Sequence, residues 1–172
     1  AHKLTHVALR YFNVAGSDPD GTIGQNTKQA TLLIKVACEA AIGKREQLYI
    51  FGTDYPTPDG TGIRDYIHVT DLAEAHLKAL DYLRKGGEST TLNCGYGHGY
   101  SVREVIETLN NMIDTPVKVI EADRREGDPA SLVAKCDKIK SLLGWQPQYD
   151  DLGFIIRTSL NWEKHLQENP VD

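Results

Sequence analysis

Apolar residues recur along this chain at two alternating periods, and the alternation predicts its architecture. Residues 5–12, THVALRYF, are mostly apolar, the pattern of a short strand buried in a parallel sheet. Residues 13–27 are rich in Gly, Asp and Asn and read as a loop. Between residues 30 and 42, Leu33, Ile34, Ala37, Cys38 and Ala41 fall on one helix face, and Gly43 is the expected stop. Residues 48–51 read as a strand. Residues 52–62 hold two Pro and three Gly, a long loop of the kind a compact domain keeps mainly for function.

A strand is expected over residues 66–69, then a helix capped by Asp71 with Glu74 at the capping-box position. Its inner stripe is Leu72, Ala75, His76, Ala79, Leu80 and Leu83, and Gly86-Gly87 ends it. Residues 90–94 form a strand running into the turn Gly95-Tyr96-Gly97-His98-Gly99. Ser101 with Glu104 is a second capping box. The helix that follows buries Val102, Val105, Ile106, Leu109, Met112 and Ile113. A strand over 117–121, a charged loop over 123–129, a short helix over 137–143 stopped by Gly144, and an amphipathic helix over about 152–166 complete the chain, with a frayed tail over 168–172. Strands alternate with helices, which predicts an α/β fold with a mostly parallel sheet.

Composition narrows the function. The chain has 172 residues, about one domain, with 40 % hydrophobic and 25 % charged residues, ordinary for a soluble globular protein. A net charge of -5 argues against general nucleic-acid binding, which needs a basic face. No apolar run approaches the roughly 20 residues that span a bilayer. Cys38, Cys94 and Cys136 are odd in number and widely spaced, so reduced structural thiols in a cytoplasmic protein are expected. His2 and His6 sit four apart in strand-like sequence, where that spacing builds no metal site.

Four clusters carry candidate chemistry. Asn13 ends the strand-like Arg10-Tyr11-Phe12, where ligands bind in open α/β sheets; it either contacts a phosphate or sugar hydroxyl or simply forms a turn. Arg64 in Arg64-Asp65-Tyr66 either forks onto a diphosphate or pairs with a carboxylate such as Asp65. Arg124-Arg125-Glu126-Gly127-Asp128 is either a nucleotide grip, guanidinium to diphosphate and carboxylate to ribose, or a solvated charge cluster. Gly95-x-Gly97-x-Gly99 departs from the dinucleotide fingerprint, its third Gly coming one residue early, and reads as a tight turn. The chain has no Gly-x-Ser-x-Gly elbow, no Walker loop and no Tyr followed four residues later by Lys.

Taken in order, Arg10-Tyr11-Phe12-Asn13-Val14-Ala15-Gly16, the run LYIFGTDYPTPDGTGIRDYIHVTDLAEAH from Leu48 to His76, Asn93-x-Gly95 with Ser101-Val102, and Arg124-Arg125-Glu126-Gly127-Asp128 resemble the UDP-glucose (UDP-galactose) 4-epimerase family. The resemblance spans essentially the whole chain and corresponds to the family's C-terminal half. It implies the C-terminal part of an extended short-chain dehydrogenase (Rossmann-type) fold: an incomplete parallel sheet plus a small substrate-binding α/β subdomain. Residues 1–172 would then be one UDP-sugar-binding region, with the N-terminal NAD-binding domain absent. Such enzymes are isomerases of galactose metabolism. They interconvert UDP-glucose and UDP-galactose through an NAD-dependent 4-keto intermediate while the C-terminal part grips UDP.

By resemblance, Asn13 contacts the sugar-nucleotide phosphates and Tyr49, Ile50 and Phe51 surround the uracil. Arg64 and Arg125 hold the diphosphate, Asp128 the ribose, and Val102 belongs to the same substrate site. Tyr11 and Phe12 border the nicotinamide, and Leu132 sits beside the sugar's 2-substituent. Leu32 departs from the polar residue usual in the family. The Gly-rich NAD turn, the catalytic Ser/Thr and the Tyr-x-x-x-Lys pair belong to the other half, so a lone piece is expected to hold no NAD and to be inactive. The parent is expected to be a homodimer, and the piece to self-associate or exchange strands through edges left open. Alternatives are a piece of a related nucleotide-sugar dehydratase or decarboxylase, or a non-catalytic binding domain.

Overall fold

The computed structural model describes residues 4–170; His2 and the last two residues of the expected frayed tail lie outside this range. Its strands form four small sheets. Strand β1 (Val7–Arg10) runs parallel to β6 (Thr90–Asn93), with Arg10 opposite Asn93. Strand β2 (Asn13–Ala15) is parallel to β5 (Tyr66–His68), and β3 (Leu48–Phe51) is parallel to β8 (Val119–Ala122). The two-residue β4 (Ile63–Arg64) lies between antiparallel β7 (Tyr100–Ser101) and parallel β9 (Ser131–Leu132). The mostly parallel α/β class expected from the alternation is present.

Among the described residues, five helices cover these strands: α1 (Leu33–Ala41), α2 (Val69–Arg84), α3 (Val102–Asn110), α4 (Asp137–Leu143) and α5 (Leu152–Glu168). Helices α1, α3 and α5 pack together over one core, in which Val105, Leu109, Ile155, Ile156 and Trp145 are fully enclosed. The Ser101–Glu104 capping box forms as expected: the Ser101 hydroxyl accepts the Glu104 N–H while the Glu104 carboxylate accepts the Ser101 N–H. Gly144 adopts the left-handed conformation that ends α4. All three cysteines are free and buried, and burial pushes the Cys94 and Cys136 thiols up to about 12 and about 11.

Several expectations are corrected. Asn13 to Ala15 form a strand rather than a loop, because β5 supplies parallel partners distant in sequence. Helix α1 starts at Leu33, leaving residues 30–32 as irregular backbone. Helix α3 ends at Asn110, and Met112 and Ile113 reach the core from the turn beyond it. Helix α2 begins at Val69, two residues before Asp71, and its cap is His68, whose side chain accepts the Thr70 N–H. Asp71 is instead buried. It accepts the Tyr96 O–H at 2.7 Å and the N–H groups of Gln148 and Tyr149 at 2.8 and 2.9 Å, stapling α2 to the segment before α5. Of the predicted α2 stripe, His76 and Leu80 point outward.

The ring of His68 is fixed by its surroundings. Its Nδ1 accepts from Thr70, so the neutral ring carries its proton on Nε2, 3.2 Å from the Thr158 hydroxyl. Tyr149 and Phe154 pack on it, with ring centroids 4.9 and 5.4 Å away. Burial holds its pKa below the ordinary histidine range, against the opposing pull of Asp71 and Asp18. Gly16, at φ 84°, lies so close that a Cβ would stand 2.4 Å from the ring's Cδ2.

Candidate functional site

The site begins with strand alternation. On β3, Leu48 and Ile50 turn into the core while Tyr49 and Phe51 are more exposed, their rings 6.0 Å apart and nearly parallel. At the junction of β4 and β5, Arg64 and Asp65 part in the same way. Asp65 is only 2 % exposed, and its carboxylate accepts the N–H groups of Tyr96, Gly97 and Ala134 at 3.0, 3.1 and 3.2 Å. It is fully engaged there, so Arg64 is free of it.

Released from Asp65, Arg64 lines a cleft of about 390 Å³. Asn13, Tyr49, Phe51, Val102, Arg125 and Asp128 line it with Arg64. The ligand set expected from resemblance is thus gathered into one cavity, with one exception among the substrate residues: Ile50, 2 % exposed, has its side chain packed in the core. Three further expected residues also lie off the lining. Tyr11 and Phe12 follow β1 and are substantially exposed, Tyr11 meeting His76 edge-on at 6.1 Å. Leu132 sits on β9 directly opposite Arg64 in register.

The cleft lining holds more positive than negative side chains. Arg64 donates from Nη1 to the Ile63 carbonyl at 2.9 Å and stands 3.8 Å from the Asp128 carboxylate. The Arg125 guanidinium lies 3.8 Å above the Phe51 ring, which positions it without neutralising it. Sequence reasoning missed Arg45, Thr31, Leu33, Tyr55 and Tyr66, which also line the cleft. Arg45 pairs with Glu39 and donates to the Ala30 carbonyl at 2.9 Å, anchoring the irregular segment before α1. No short-range pattern marks it, because its partners are set by the tertiary turn after α1. Three guanidinium groups and one carboxylate line the cavity, Arg45 being paired with Glu39, so the cleft carries an excess of positive charge in a chain of net charge -5.

The glycine-rich turn after β6 offers nothing to a dinucleotide. The N–H groups of Tyr96 and Gly97 are taken by Asp65, and a Cβ on Gly95 would lie 2.6 Å from its Oδ2. The protein's own carboxylate fills the place a phosphate would need. Among the described residues no helix is long and apolar enough to cross a membrane, and no group of three His, Cys, Asp or Glu could hold a metal.

The sequence profile of the NAD dependent epimerase/dehydratase family matches residues 1–95, more than half of the chain. The chain belongs to this family. Within it, strong similarity runs to UDP-glucose 4-epimerases. One from Azospirillum brasilense is 58 % identical over 169 residues, covering 98 % of this chain and 49 % of that protein. A crystal structure of a UDP-glucose 4-epimerase superposes with a TM-score of 0.93 at 44 % identity, covering 98 % of this chain and 51 % of that one. The enzyme from Bifidobacterium longum, solved with NAD+ and UDP, gives 0.87 at 37 % identity, covering 96 % and 48 %. The chain thus spans about half the length of these family members.

Proposed function

We propose that this chain is the UDP-sugar-binding part of a UDP-glucose 4-epimerase, whose whole enzyme interconverts UDP-glucose and UDP-galactose. One observation carries this: Arg64 lines one cavity with Arg125 and Asp128, some sixty residues further along the chain, and with Tyr49 and Phe51. Guanidinium forks match the paired oxygens of a diphosphate, and a carboxylate accepts from ribose hydroxyls. Asn13, at the start of β2, adds a neutral donor for a phosphate oxygen. Tyr49 and Phe51 supply the apolar wall for the uracil, while Ile50 contributes only through its backbone. Val102 borders the nucleotide, and Leu132 limits room beside the sugar's 2-substituent. Such a site grips the part of the ligand that stays constant through epimerisation, so glucose and galactose forms share it.

NAD supplies hydride chemistry in the whole enzyme. The glycine-rich turn of this chain does not fit its pyrophosphate, so no redox step is assigned here. With no Tyr-x-x-x-Lys pair in its sequence, the chain binds without turning over. Residues 1–172 act as one substrate-binding region. The open edges of its small sheets and exposed apolar α2 residues, among them Leu77 at 58 % and Leu80 at 44 %, favour association between copies.

Isothermal titration with UDP and UDP-glucose tests the binding claim, with a coupled epimerisation assay on the same sample. Binding without turnover is expected. Absence of heat at millimolar ligand removes the claim.

A further inference from the structure

Among the described residues, one buried side-chain nitrogen or oxygen lacks a hydrogen-bond partner: the hydroxyl of Tyr55. Tyr55 is 6 % exposed, and it lines the same cleft as Arg64, Arg125 and Asp128. A buried hydroxyl without a partner forfeits its water and gains nothing, so native structures seldom keep one idle.

The surrounding loop holds this ring in place. The Tyr55 N–H donates to the Gly60 carbonyl at 2.9 Å, and its carbonyl accepts the Thr57 N–H at 2.8 Å. Gly52, at φ 84°, gives the ring room: a Cβ there would stand 2.6 Å from Cε2. The Arg124 guanidinium covers one ring face at 4.2 Å and is itself tied to Asp54 at 2.7 Å. The ring therefore keeps its place on the cleft wall, while its hydroxyl is covered in the empty cleft and meets a ligand after a small side-chain shift. Tyr55 thus offers a neutral donor beside a cavity whose other strong donors are guanidinium groups.

We propose that Tyr55 is a nucleotide-contacting residue, its O–H donating to an acceptor oxygen of a bound nucleoside diphosphate, on a phosphate or on the ribose. The assignment rests on the binding function proposed above and adds a contact that the charged motifs do not supply. A rigid donor loses little conformational entropy on binding, so its bond counts nearly in full.

The test compares the 172-residue chain with its Tyr55→Phe variant, which keeps the ring, by titration with UDP, UMP and uridine. The variant is expected to bind UDP roughly tenfold or more weakly, as for loss of one hydrogen bond to a charged or polar acceptor in a desolvated site. Its ligand-free melting temperature should equal or exceed that of the parent chain. A loss that persists with uridine assigns a ribose oxygen; a loss confined to the phosphorylated ligands assigns a phosphate oxygen. Equal UDP affinity in the two proteins overturns the assignment, the hydroxyl then being served by water. A lowered melting temperature also overturns it, marking the hydroxyl as structural. If the parent chain itself binds no UDP, the proposed function falls and this contact falls with it, whereas parent binding with an indifferent variant removes Tyr55 alone.

Discussion

Nη2 of Arg64 stands 3.8 Å from Oδ1 of Asp128, close enough to feel the charge and too far for a committed hydrogen bond. One guanidinium nitrogen is used by the Ile63 carbonyl. The fork is aimed and still has donors to give, as a site awaiting an anion requires. Arg64→Lys keeps the charge and loses the fork, so UDP affinity is expected to fall about tenfold. Arg64→Ala should fall further. Titration calorimetry at fixed ionic strength checks both, and an unchanged affinity for either variant would remove Arg64 from the binding set.

Asp71 is a keystone of the fold and not of the site. Removing its carboxylate strands the N–H groups of Gln148 and Tyr149 and leaves the Tyr96 hydroxyl only the Tyr149 carbonyl, at 3.1 Å. Asp71→Ala is expected to cost about 3 kcal/mol or more of folding stability, since each orphaned buried donor costs about 1–3 kcal/mol. Urea denaturation with a constant m-value measures it.

His68 gives the chain a pH response. Its pKa is depressed in the folded state by burial, so the unfolded chain takes up a proton first as pH falls. Stability from this group is complete above the unfolded value of 6.5 and is lost as pH drops through it towards the folded value. Urea midpoints at pH 7.5 and pH 5.5 should differ more in the parent chain than in His68→Gln. Equal differences would show that other groups set the acid response.

Copies of the chain should associate in solution. Light scattering on a dilution series is expected to show mass rising with concentration, and a Leu77→Lys, Leu80→Lys pair on the outer face of α2 should lower it. A clean monomer at high concentration excludes association through this face.

Local pattern made much of this legible. The Ser101 capping box and helix α4 with its Gly144 stop follow from near neighbours, and structure and sequence agree there. The cleft residues Arg64, Arg125 and Asp128 follow from motif order, although nothing in sequence says that Asp65 is held by the backbone at Tyr96, Gly97 and Ala134. Ile50 was readable from period two alone, because Tyr49 and Phe51 share a face that Ile50 cannot. Asp71 misled because its spacing to Glu74 satisfies a local rule, while its real partners lie 25 to 78 residues away. Arg45 and Tyr55 are hidden for the same reason: their places depend on Ala30 and Arg124, which only folding brings near.

Asp65 hinges the two sides of the molecule together. Its neighbour Arg64 lines the cleft while its own oxygens clasp the turn around Gly95 and the backbone at Ala134. A methyl group placed on Gly95 would jostle that clasp and tilt the arginine beside it. A change in the turn between β6 and β7, away from the cleft wall, can therefore reach the cleft through Asp65 and Arg64.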